Sequence, residues 1–210
     1  MTDTDTVFAY QFGEAVSVSQ DTMLVGAPSE SVGGVATGAV YVFVRIGSVW
    51  SQQAKLTETN GLANDRFGWR VAVSGDLAVV SAPTAASAGS AYVFRRTGTT
   101  WVQQAKLVPS DSQTGNLFGS GLSTDGLTIV VGANGFHTTS GGFGAAYVFT
   151  QAGGVWTQTA RLSPTGTDNP KHFGDSVVVL GNQIVVGDGH DSTVATFAGA
   201  VYVFQLTGGS

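Results

Sequence analysis

Residues 67–83 read FGWRVAVSGDLAVVSAP: an apolar run, a Gly-Asp turn, a second apolar run, then proline. That is the signature of a β-hairpin. Nearly the same words return as FGEAVSVSQDTMLVGAP from Phe12, FGSGLSTDGLTIVVGAN from Phe118 and FGDSVVVLGNQIVVGDG from Phe173. The four phenylalanines stand 55, 51 and 55 residues apart. Self-similarity at a nearly fixed period means a repeat architecture, in which each unit buries its faces against its neighbours.

Working outward from Phe-Gly, each copy offers the same strands. The first follows Phe-Gly (AVSVS, RVAVS, SGLST, SVVVL) and turns through pairs such as Gly75-Asp76, Asp125-Gly126 and Gly181-Asn182. Such pairs suit tight hairpin turns that need positive φ. The second is a near-continuous apolar run (TMLVGA, LAVVSA, TIVVGA, QIVVGD), which reads as buried on both faces. After a loop of variable length comes GAVYVF from Gly38, with GSAYVF, GAAYVF and GAVYVF as its counterparts from Gly89, Gly144 and Gly199. The fourth strand opens on tryptophan: WSQQAKL from Trp50, WVQQAKL from Trp101, WTQTARL from Trp156. Its alternation puts Trp50, Gln52, Ala54 and Leu56 on one face and Ser51, Gln53 and Lys55 on the other, a half-exposed strand. Burial is therefore expected to fall from a small strand at one end of the unit to an outer strand in water. A repeated four-stranded antiparallel unit of this kind is a β-propeller blade.

The pattern Phe-Gly, Val-rich strand, Gly-Ala-Pro, loop, Gly-x-x-Tyr-Val-Phe resembles the FG-GAP repeat of integrin α-subunit propellers. With WxQQAKL it is most similar to bacterial FG-GAP repeat proteins. The resemblance runs over residues 12–207 and implies an all-β propeller, an extracellular or cell-surface setting, and a role in adhesion or binding. Gly132-Ala133-Asn134 and Gly187-Asp188-Gly189 depart from Gly-Ala-Pro without removing a strand residue. The chain divides into an N-terminal segment (1–11), blade 1 (12–66), blade 2 (67–117), blade 3 (118–172), an incomplete blade 4 (173–207) and a tail (208–210).

Composition agrees with a globular β protein: 42% hydrophobic, 11% charged, 30 glycines in 210 residues. The net charge of −5, with only 9 Lys and Arg, leaves no footprint for nucleic acid. No apolar stretch reaches the ~20 residues of a membrane helix, and MTDTDTVFAY has no basic-then-apolar signal pattern. The absence of cysteine removes disulfides and thiolate chemistry.

Strand counting leaves blade 4 without a Trp strand. The link from an outer strand to the next Phe-Gly must cross about three strand spacings, roughly 14 Å at ~4.8 Å each. TVFAYQ runs directly into Phe12, so residues 1–11 are not expected to close the ring. A seven-bladed ring of the integrin type needs roughly 350–390 residues at this period. An open array exposes a blade edge at Tyr202–Phe204, and such edges recruit other strands. Homo-oligomerisation is the expected remedy; a propeller fragment with an assembly role is the alternative.

Chemistry is sparse. The family's calcium loops lie in the turn between first and second strands. That turn is too short here for an Asp-rich ligand loop, so those sites do not carry over. No cofactor is expected, calcium being the one ion the resemblance raises. The best local metal candidates are Asp188, His190 and Asp191, with a polar surface loop as the preferred reading. His172 reads as a tolerated position before Phe173, and Arg95-Arg96 as a solvated turn. No nucleophile elbow, zinc helix or phosphate loop is present, so an enzyme is not expected. A glycan-processing site would need acids converging in a pocket. Binding candidates are Trp69 and Arg70, present in one copy only, and Phe136, His137, Phe143 and Phe197 in the variable loops. Loops 28–38, 83–89, 133–144 and 188–199 are the expected display surface for a protein or glycan ligand.

Overall fold

The computed structural model describes residues 11–135, 144–164, 172–192, 194–196 and 198–206. The candidates Phe136, His137, Phe143 and Phe197, and all but the last residue of segment 1–11, lie outside them. In chain order, the first sheet has β1 (Val16–Ser19), β2 (Thr22–Ala27), a small hairpin β3 (Ser31–Val32) and β4 (Val35–Ala36), then β5 (Ala39–Ile46) and β6 (Val49–Leu56). The second has β7 (Val71–Ser74), β8 (Leu77–Ala82), β9 (Ser90–Thr97) and β10 (Thr100–Leu107). The third has β11 (Phe118–Thr124), β12 (Thr128–Ala133), β13 (Ala145–Ala152) and β14 (Val155–Leu162). The fourth has β15 (Ser176–Leu180), β16 (Gln183–Asp188) and β17 (Ala200–Gln205). Each sheet is an antiparallel meander in sequence order, apart from the small hairpin, and the fourth has three strands among the described residues. These are propeller blades.

The expected burial gradient is corrected. In the first three sheets the second and third strands, in the middle, are the doubly buried ones: β8 and β12 are buried throughout, as are the first five residues of β5, β9 and β13. The first strand is a sheet edge and shares its burial with the neighbouring blade. The outer strand also departs from simple alternation. A β-bulge leaves Gln53 opposite no partner between Gln52 and Ala54, with the same irregularity at Gln104 and Thr159. Gln52 is consequently exposed while Gln53 is half-buried.

The repeat signature is inter-blade packing. Phe67, Phe118 and Phe173 are fully buried, each edge-on to the tyrosine of its own Tyr-Val-Phe strand at 5.2–5.5 Å between centroids. Each also bridges backwards to a glycine of the preceding blade: Gly38 to Phe67, Gly89 to Phe118, Gly144 to Phe173. These glycines have φ of 95°, 95° and 72°, and a Cβ there would stand 2.1–2.2 Å from the phenylalanine carbonyl oxygen. Glycine is required twice over, by backbone sign and by contact. Side chains finish the seam. Ser17 and Ser19 hydroxyls accept the amides of Val73 and Gly75, and Ser123 Oγ and Asp125 Oδ2 accept those of Val179 and Gly181, all at 3.1 Å.

Arg96 is not a solvated turn residue. Its guanidinium donates to Asp76 Oδ1 at 2.7 Å, reaches Thr22 Oγ1 of blade 1 at 3.0 Å, and lies over Trp101.

Candidate functional site

The antiparallel meander places every strand-one start, every loop between second and third strands, and every link between blades on the same rim. Three constellations form there.

The first is a pocket of about 350 Å³ between blades 1 and 2, lined by Gln11, Pro28, Ser29, Asn64, Arg66 and Trp69 among others. Trp69 is half-buried, and both Arg66 (5.4 Å) and Arg70 (5.1 Å) lie over its ring. Arg70 is anchored by its amide on Ser81 Oγ and by Nη1 on the Trp69 carbonyl. Gln11 and Arg66 hold positive φ of 59° and 60°. Leu117, directly before Phe-Gly in blade 3, shares this conformation with φ of 51°, so it belongs to the repeat. The indole with Arg66, Gln11 and Asn64 beside it offers an aromatic surface, a positive charge and hydrogen-bond donors within one concavity.

The second is a tyrosine–cation–acid set repeated behind the rim. Lys55 lies over the Tyr41 ring and pairs with Glu30 at 3.1 Å; Arg161 lies over Tyr147 and pairs with Asp111 at 3.0 Å. Tyr147 donates to Asp111 Oδ1 at 2.7 Å and Tyr202 to Asp191 Oδ2 at 2.6 Å; burial, and then these acceptors, push each phenol up to about 12. In blade 2, Lys106 lies over Tyr92, and the carboxyl is Glu58, only 7% exposed. Burial drives Glu58 up to about 7, the nearby Asp65 charge adding to it and the Tyr92 hydroxyl opposing it. Glu58 and Asp65 are thus two converging acids. Neither is among the residues lining the Trp69 pocket or the pocket at the open end of blade 4.

The third is at blade 4. Among the described residues, His190 is the one of Asp188, His190 and Asp191 that joins a ligand cluster: it meets His172 and Asp175, one ligand atom from each lying within 4.8 Å of the others. His172 is therefore not a neutral spacer; its ring stacks on His190 at 3.9 Å between centroids. Asp188, 1% exposed, accepts the backbone amides of His190 (2.9 Å) and His172 (3.4 Å), and Asp191 holds Tyr202. Sequence reading missed His172 and Asp175 because they sit 18 and 15 positions before His190, joined only by the strand-one to strand-two hairpin.

Comparison with protein families matches the FG-GAP repeat over residues 1–43, 50–94, 101–149 and 156–204. The chain belongs to the FG-GAP repeat family. In the family's frame each later unit opens at or next to a Trp strand and ends within or just beyond a Tyr-Val-Phe strand, and the first opens at residue 1. Residues before Phe12 therefore count as part of the first FG-GAP unit, a framing offset by one strand from blades starting at Phe-Gly. Comparison with curated proteins finds no significant match. Among solved structures, Sqt1 of Saccharomyces cerevisiae is similar with a TM-score of 0.54 at 12% identity, over 95% of this chain and 46% of Sqt1. That likeness concerns the fold, and this FG-GAP chain spans under half of Sqt1's length.

Proposed function

We propose that the chain is a non-catalytic FG-GAP scaffold that binds a protein or glycan ligand on its rim, in an extracellular or cell-surface setting. The observation that carries this reading is the Trp69 pocket. Its indole and the flanking Arg66 and Arg70 occur in one blade only, so the repeat's packing does not demand them. A half-buried Trp with arginines beside it is the side-chain chemistry favoured at binding hot spots. The ligand class that fits best is a glycan carrying a carboxylate: the indole takes the apolar face of a sugar ring and the guanidinium groups take the anion. Screening the protein and its Trp69→Ala variant on an array of neutral and acidic glycans tests it. Binding of acidic glycans by the wild type, lost in the variant, is the expected result. A ligand bound equally by both moves the site elsewhere.

A second observation favours self-association. On the outward face of blade 4, Val178, Leu180, Val201 and Val203 are 57–77% exposed. Val40 and Val42, the blade 1 counterparts of Val201 and Val203, are fully buried under blade 2. A second copy covering this face would bury an existing apolar sheet. Light scattering after size exclusion separates the outcomes: 21.5 kDa for a lone chain, or a discrete multiple for an assembly.

A further inference from the structure

We propose that His172, Asp175 and His190 form a binding site for a divalent transition-metal ion of the zinc type on the rim of blade 4. Two chain segments converge there, the stretch before β15 and the loop after β16. His172 comes from the link into blade 4, Asp175 from the lead-in to β15, and His190 from the loop after β16. Their ligand atoms lie within 4.8 Å of one another. A tetrahedral ion with bonds of about 2.0–2.2 Å separates its ligands by about 3.4 Å, so small side-chain rotations complete the approach. None of the three residues is fully buried, which leaves a fourth position open to water or a ligand.

The surroundings orient the three groups. Asp188 holds the backbone of both histidines through its two carboxylate oxygens. Asp175 is fixed from the other side by the Asn134 carboxamide, which donates to Oδ1, and by its amide on the His172 carbonyl at 3.0 Å. That leaves Asp175 Oδ2 on the histidine side, 3.6 Å from His172 Nδ1. Asn134 stands where blades 1 and 2 have proline, so the departure from Gly-Ala-Pro in blade 3 supplies an outer-shell partner. Such partners fix ligand orientation in metal sites.

Two imidazoles and one carboxylate select zinc, nickel, cobalt or copper over calcium and magnesium, which require oxygen ligands throughout. The site is separate from the turn between first and second strands. A bound ion would tie the loop after β16 to the base of β15, stiffening the rim beside the open blade face.

Titration of untagged protein with zinc ions alone, followed by calorimetry and by thermal melting, tests the site. One zinc per chain with a raised melting temperature is expected. His172→Ala and His190→Ala should each weaken binding more than tenfold and abolish the thermal shift. If an alanine variant unfolds by circular dichroism, His190→Gln replaces it. Cobalt in place of zinc should give visible bands typical of low-coordinate nitrogen and oxygen ligation, absent in the variants. No saturable zinc binding by the wild type overturns the proposal. So does binding unchanged in folded histidine variants, or displacement of zinc by millimolar calcium.

Discussion

Glu58 follows the Trp strand of blade 1 by two residues and is buried against blade 2, with Asp65 close by. Its folded-state pKa, about 7, is raised above the ordinary carboxyl value. The fold therefore favours the protonated form. Stability from this group is fully present below about pH 4.5 and is lost as pH rises through about 7. Denaturant melts at pH 5 and pH 8 should show the wild type losing on the order of 1–3 kcal/mol over that interval. Glu58→Gln should flatten this dependence, and an unchanged slope would remove Glu58 as its origin. In sequence Glu58 is one acid among 14 acidic residues. Only the packing of the 57–66 link against Tyr92 distinguishes it. Trp69 and Arg70, in contrast, were legible as candidates because one copy of a repeat differed from the other three.

At the scale of strands and seams, glycine sets the distance between blades. A Cβ on Gly26 would stand 2.0 Å from the Gly68 carbonyl oxygen, and on Gly132 1.9 Å from that of Gly174. Both contacts are with backbone, which cannot rotate away. Gly26→Ala should open the seam between blades 1 and 2 and cost about 1–3 kcal/mol or more, measured as a fall in the denaturation midpoint. Gly47→Ala, in a turn with φ of 61° and open space for a Cβ, separates pure backbone strain from seam disruption. Equal losses in the two variants would count against the seam explanation. The strands of each copy and their order followed from period and pattern. The bulges at Gln53, Gln104 and Thr159 did not, because a bulge changes pairing with a neighbour and leaves the residue order untouched.

At the scale of the whole molecule, blade 4 exposes an apolar sheet face among the described residues. In blades 1 to 3 the matching face is sealed by the next blade's Phe-Gly strand and Tyr-Val-Phe rings. Val201→Lys with Val203→Lys places two charges on the exposed face and should shift any oligomer towards the 21.5 kDa chain without lowering its melting temperature. A mass unchanged from an oligomeric wild type would place the interface elsewhere.

The sequence by itself determined the repeat, the strand order within each copy and the family. These depend on local periodicity and on glycine and aromatic positions that every copy restates. Tertiary structure alone decided which side chains meet: His172 and Asp175 with His190, Glu58 with Tyr92, Arg96 with Thr22. Each of these meetings crosses a hairpin or a blade seam, and residue spacing along the chain carries no record of distances closed by packing.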